Sequence, residues 1–144
     1  MYKIFLSGPY NHPWRQQFRV KIEQELSDKP IIVIDTDDIT YYLQADKLLT
    51  YELAELRKCD ILVAYIDTSY PVHTFFQLAY ARLLAVPNII LSASECWPIL
   101  SRNALLLEST YALLEVDTYL CPFQPIREKI IDMIELLETC RASN

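Results

Sequence analysis

A parallel β-sheet covered by helices on both faces is the fold that this sequence predicts, and three observations predict it. Short apolar runs alternate with longer segments of helical period along the chain. The short runs are continuously apolar instead of alternating with polar residues, which is the pattern of strands buried on both faces. Of 144 residues only one is glycine, Gly8, where an average share of about 7% would give roughly ten. That scarcity leaves no way to write a P-loop or a GxGxxG dinucleotide fingerprint. The length suits one domain, residues 1–144, and 52% apolar with 22% charged residues describes a globular chain with a sizeable core.

The elements follow in order. Residues 2–7 (YKIFLS) read as the first strand. Residues 13–27 read as a helix, with Pro13 in the first helical position, where its missing N–H costs nothing, and Asn11 or His12 ahead of it. Pro30 opens a second strand over 31–35, and 36–44 form a polar, tyrosine-rich loop. A helix over 45–57 places Leu48, Leu49, Leu53 and Leu56 on one face. Residues 60–66 (DILVAYI) are the third strand. The helix over 72–85 is apolar nearly all round, which implies burial in the core or at a subunit interface. Residues 88–92 form the fourth strand, 99–109 a short helix and 111–117 the fifth strand. The final helix, 124–139, sets Ile126, Ile130, Ile134 and Leu137 against Arg127, Glu128, Asp132 and Glu135.

Ligands of such sheets bind beyond the carboxyl ends of the strands, near the point where the strand order reverses. Those ends carry Ser7-Gly8-Pro9, Asp35-Thr36, Asp67-Thr68 and Ser92. Ser7-Gly8-Pro9-Tyr10 leaves small groups where a ligand can touch backbone, and N–H groups at a helix start hold anions; an ordinary tight turn explains the same residues. His73 and Gln77 share a helix face, and His73 is a general base or a solvated helix-start residue. Asp67 activates water or caps a turn. Glu52, Glu55 and Lys58 also fit a solvated helix face. Arg15 meets a phosphate or serves as an exposed structural residue. Tyr41, Tyr42, Tyr51, Tyr70, Trp14 and Trp97 are candidates for stacking a base or for covering core edges and interfaces.

The charge excludes some partners. Lys and Arg number 13 against 19 Asp and Glu, a net charge of −6, and the basic residues are scattered. A nucleic-acid polymer, which favours a basic stripe, does not fit; a mononucleotide does. Cys59, Cys96, Cys121 and Cys140 form no CxxC, and His12 and His73 are the only histidines, so no metal site is expected, and no cofactor. The apolar runs fall short of a membrane span. Met1-Tyr2-Lys3-Ile4 enters a strand without a signal peptide. A cytoplasmic protein with reduced thiols is the expectation.

One block is more specific. Cys59-Asp60-Ile61-Leu62-Val63-Ala64-Tyr65-Ile66-Asp67, then Thr74, then Gln77-Leu78-Ala79-Tyr80-Ala81, then Val86-Pro87-Asn88-Ile89-Ile90-Leu91 resembles the nucleoside 2-deoxyribosyltransferase family. Ile4-Phe5-Leu6-Ser7-Gly8-Pro9 resembles its first strand and turn, so the likeness covers about residues 2–110. It implies a flavodoxin-like three-layer sandwich with a parallel five-stranded sheet, a nucleoside or nucleotide ligand, and a homodimer or higher oligomer. In that family a glutamate attacks the anomeric carbon and carries the sugar covalently, as in retaining glycosidases. Here Gln77 stands at the glutamate, Pro71 at an aspartate, His73 at a glycine and Phe5 at an orienting tyrosine. Glu52 matches an acidic position facing the nucleobase, and Asn103 resembles an asparagine supplied by a neighbouring subunit. The expected site is therefore Gln77, Glu52, Asn103 and His73 for chemistry, with Ser7, Gly8, Pro9, Tyr10, Asp67 and Thr74 holding the ligand. The substituted positions point to binding with weak or absent glycosyl transfer; a rearranged N-glycosidase or transferase, and a scaffold with a closed pocket, are the alternatives.

Overall fold

The computed structural model describes residues 1–39, 44–68, 71–117 and 120–143. Among them are strands β1 (Tyr2–Ser7), β2 (Ile31–Ile34), β3 (Ile61–Ile66), β4 (Asn88–Ala93) and β5 (Ala112–Val116). The helices are α1 (Pro13–Glu25), α2 (Ala45–Leu56), α3 (Val72–Leu83), α4 (Trp97–Leu100), α5 (Ala104–Ser109) and α6 (Gln124–Ala142). The strands form one five-stranded sheet in the order β2-β1-β3-β4-β5, and every pairing is parallel. This is the flavodoxin-like arrangement that the sequence predicts. Among the described residues no helix is long and apolar enough to cross a membrane.

Alternation along the strands divides the core into two layers. Ile4, Leu6, Ile61, Val63, Tyr65, Ile89 and Leu91 pack against Trp14, Phe18 and Ile22 of α1 and Ile126, Ile130, Met133 and Ile134 of α6. Phe5, Leu62, Ala64, Ile66 and Ile90 face the other way, onto Leu56 of α2, Leu78 and Ala81 of α3, Leu100 and Leu106. β1 and β3 are buried throughout or nearly so, as covered parallel strands require.

Two expectations are corrected. The helix over 99–109 is two helices, because Asn103 adopts an extended backbone and its side chain accepts the Leu106 N–H. A capping asparagine competes with helix continuation and starts a new helix instead. For the helix at 72–85 only the core alternative is corrected: Thr74, Gln77, Leu78 and Ala81 are buried, while Val72, Phe75, Phe76 and Leu83 are exposed, which the subunit-interface alternative accommodates. A helix lying on one face of a sheet covers it with one stripe only. The remaining elements stand within a few residues of expectation, and His12 is the residue that caps α1.

The strand order reverses between β1 and β3, so the turns after these two strands border the crevice where ligands bind. Gly8 sits there with φ of 148°, and a Cβ on it would lie 2.8 Å from the Tyr65 carbonyl oxygen and 3.0 Å from the Trp14 ring. The turn after β1 therefore lies directly on the end of β3, and only glycine allows that approach. Gly8→Ala is expected to destabilise the protein by about 1–3 kcal/mol, read as a lowered urea midpoint; an unchanged midpoint would show that the turn relaxes freely.

Candidate functional site

Glu52, in the middle of α2, has no exposed surface. The reading of Glu52 as part of a solvated face is corrected by this burial, which leaves Lys58 and Glu55 to pair with each other at 2.6 Å. A buried carboxylate must be met by donors, and four side chains meet this one. Its Oε1 accepts from the Tyr10 hydroxyl and from Thr36 Oγ1 at 3.0 Å. Its Oε2 accepts from Gln77 Nε2 at 3.1 Å and lies 2.7 Å from His73 Nε2. The amide of Gln77, 1% exposed, is used at both ends, since its Oε1 accepts from the Ser7 hydroxyl.

His73 Nε2 also stands 2.6 Å from the Tyr10 oxygen and 3.1 Å from Gln77 Nε2. Tyr10 and His73 thus bridge the β1–α1 turn to the first turn of α3, above Glu52. Burial pushes the Glu52 carboxyl up, but hydrogen bonds from His73 and Tyr10, the His73 charge and the Thr36 hydrogen bond outweigh it, and the net shift is downward. Tyr10 is shifted far upward, first by burial and then by its bond to the Glu52 carboxylate.

The turn after β1 is fastened from beneath by Arg15, which is 3% exposed. Its guanidinium donates to the carbonyls of Leu6 at 3.3 Å, Gly8 at 2.9 Å and Pro9 at 3.2 Å, and pairs with Asp35 at 2.6 Å. Arg15 is neither exposed nor free for a phosphate, because its planar fork is spent on these acceptors. Asp35 in turn receives the backbone N–H of Asp37 at 3.1 Å.

A cleft of about 270 Å³ opens over this layer, lined by Gly8, Pro9, Tyr10, Asp67, His73 and Thr74 together with Tyr65, Thr68, Pro71 and Val72. Pro71 precedes α3 and gives it no side-chain cap, and the helix start, Val72, His73 and Thr74, lines the cleft. Asp67 lies 3.7 Å from His12 Nε2, while His12 Nδ1 accepts the Trp14 N–H at 3.2 Å.

Of the ten expected site residues, nine gather here in two tiers. Gly8, Pro9, Tyr10, Asp67, His73 and Thr74 line the cleft; Ser7, Glu52 and Gln77 lie buried below it. Asn103 is elsewhere, exposed at the start of α5, where its side chain caps the helix at 3.0 Å. Trp14 is a core residue stacked near Tyr65 and Phe18, and Trp97 starts α4, away from the cleft. Tyr41, Tyr42 and Tyr70 lie outside the described residues. Thr36 belongs to the cluster and was visible only as the residue after a strand end.

No family model matches the sequence, and no curated protein matches it. Solved structures do. A 2-desoxiribosyltransferase from Leishmania mexicana superposes with a TM-score of 0.53 at 20% identity, over 64% of this chain and 65% of that one, just under two thirds of its length. A CMP N-glycosidase from Clostridium botulinum gives a TM-score of 0.53 at 14% identity, over 94% of this chain and 98% of that one. The chain shares their fold. At such identities the likeness is one of backbone architecture, and the named activities are those of the two neighbours.

Two outcomes follow from the geometry. Glu52 has a folded-state pKa below its ordinary 4.5, so the stability it contributes is present above that value and lost as pH falls through the lower folded value. The difference in Tm between wild type and Glu52→Gln should be widest at neutral pH and close as the pH falls below the ordinary value. A difference that stays constant through that range would contradict the shift. Arg15→Met should cost about 3 kcal/mol, the lower end for a buried pair losing one partner because Arg19 stays near Asp35, measured by urea denaturation; a loss under about 1 kcal/mol would show that the turn holds without it.

Proposed function

We propose that this chain binds a nucleoside in the cleft between the β1–α1 turn and the start of α3, and that it does not carry a glycosyl group covalently. The observation that carries the reading is the state of Gln77. An amide is a poor nucleophile, and this one is buried and engaged at both ends by Ser7 and Glu52. The resemblance to nucleoside 2-deoxyribosyltransferases and the shared fold of a CMP N-glycosidase support the ligand class. An open cleft favours a ligand-binding protein over a scaffold with a filled pocket.

Charge favours a nucleoside over its phosphate. Among the described residues no Lys or Arg lines the cleft, and the undescribed residues of the chain carry none. The α3 N-terminus offers roughly half a positive charge, against the full negative charge of Asp67 across the same space. The exposed Val72, Phe75, Phe76 and Leu83 of α3 support association with a second copy. We place the protein in the cytoplasm.

Thermal denaturation with a panel of nucleosides and their 5′-monophosphates tests this reading. A bound nucleoside at 100 times its Kd should add about 2.7 kcal/mol, and the monophosphate should add less. No stabilisation by any member of the panel would sink the binding proposal, and a larger effect of the monophosphates would sink the charge argument. Gln77→Glu sets a second carboxyl against Glu52, where two buried carboxylates share one proton. That variant should be less stable than wild type and should show no base exchange between nucleosides. Base exchange by the wild-type protein would overturn the absence of covalent transfer.

A further inference from the structure

The orientation of His73 is not explained by binding alone. Among the described residues, every hydrogen bond or ion pair of its ring runs through Nε2: to Glu52 Oε2 at 2.7 Å, to the Tyr10 oxygen at 2.6 Å and to Gln77 Nε2 at 3.1 Å. The proton count decides which atom carries hydrogen. Tyr10 gives its single hydroxyl proton to Glu52 Oε1 and Gln77 Nε2 donates to Glu52 Oε2, so neither donor needs a lone pair on His73 Nε2, whereas the carboxylate only accepts. The contact between Nε2 and the Glu52 carboxylate therefore requires the hydrogen on Nε2. In the neutral ring Nδ1 then holds the lone pair. No described residue bonds to Nδ1, and the side chain, 36% exposed, lines the cleft. A buried carboxylate that fixes the tautomer and leaves the opposite nitrogen without a described protein partner, on a side chain that lines the cleft, is the arrangement of a general base.

We propose that His73 Nδ1 activates a water molecule against the anomeric carbon of a nucleoside held in the cleft, so that the protein hydrolyses the N-glycosidic bond in a single displacement. This rests on the nucleoside-binding reading above. The water oxygen bonds to C1′ while one of its protons passes to Nδ1. The C1′–N bond breaks, its electron pair goes to the departing base nitrogen, and that nitrogen takes a proton from solvent. His73 then returns its proton to solvent. The sum is nucleoside plus water giving free pentose and free base, with no covalent sugar on the protein and no co-reactant. Glu52 is a positioning residue here. It holds the imidazole and stabilises the imidazolium that forms, while Tyr10 and Gln77 keep Glu52 in place.

The experiment measures binding and base release separately on the full chain. Ribonucleosides and 2′-deoxyribonucleosides are titrated calorimetrically, and release of free base is followed by chromatography. Wild-type protein should bind and release base. His73→Gln keeps an amide donor for Glu52 but has no basic nitrogen. It should bind with a Kd within a few-fold of wild type and release base about 10²–10⁴-fold more slowly. His73→Ala should show the same loss, and added imidazole should restore part of the rate. Should His73→Ala fail to fold, His73→Gln with matching circular dichroism carries the test alone. Release within three-fold of wild type in a folded His73→Gln variant overturns the proposal. Binding without base release by wild type also overturns it and leaves the binding reading standing. Absence of binding brings down both. Transfer of the sugar to an added nucleobase shows a covalent route and overturns the single displacement.

Discussion

A carboxylate with no contact to water has to be met by donors on every side, and this constraint at Glu52 arranges the site. Stripping water from an ion costs several kcal/mol unless hydrogen bonds replace it. The replacements come from separate parts of the chain: Tyr10 in the turn after β1, Thr36 beyond the end of β2, and His73 and Gln77 on α3. Each is satisfied in turn, Gln77 by Ser7 at the end of β1. Such a network ties α2 and α3 to the carboxyl ends of two adjacent strands. It also closes over itself. Tyr10 and His73 separate the buried tier from the cleft, so the cleft borders the outer edge of the network and not Glu52 or Gln77.

The turn after β1 carries one wall of that cleft, and its shape is imposed from both sides. Above, Gly8 presses against the Tyr65 carbonyl at a distance no Cβ allows. Below, Arg15 collects the carbonyls of Leu6, Gly8 and Pro9, which would otherwise lack partners in a turn that leaves the sheet. Asp35 neutralises the guanidinium that does this. The Arg15 guanidinium also lies 5.1 Å from the centre of the Tyr10 ring, so the same cation that shapes the turn supports the tyrosine bonded to Glu52. The chain's one glycine and a buried arginine therefore serve the same purpose, which is to hold Tyr10 where the carboxylate needs it.

Much of this was legible beforehand. Continuous apolar runs at 2–7, 60–66 and 88–92 identify strands covered on both faces, because they are shorter than a buried helix would be. Pro13 marks the start of α1 for the reason that Pro suits a first helical turn. The locations of Ser7, Gly8 and Asp67 follow from the rule that strand ends in a parallel sheet border the ligand crevice, and His73 from its place on a helix face with Gln77. Less legible were the residues whose meaning depends on a distant partner. Glu52 with Glu55 and Lys58 has the same spacing as a solvated face, and only the position of α2 against the sheet buries it. Arg15 is one turn into a surface helix, and its burial depends on carbonyls that the preceding turn exposes. The run 99–109 keeps enough apolar residues for one helix, while the break depends on the Asn103 side chain bonding the Leu106 N–H.

By itself the sequence determined the order and type of most elements, the parallel sheet and the end of it where the cleft opens, because those depend on periodicity, backbone restrictions and burial, which are local properties of the chain. Tertiary structure alone decided which polar groups share a proton and which face solvent. Tyr10, Thr36, Glu52, His73 and Gln77 are spread over much of the chain, and their mutual distances follow from how α2 and α3 seat on the sheet. A hydrogen bond is a matter of ångströms between such groups, a scale that residue spacing along the chain does not reach.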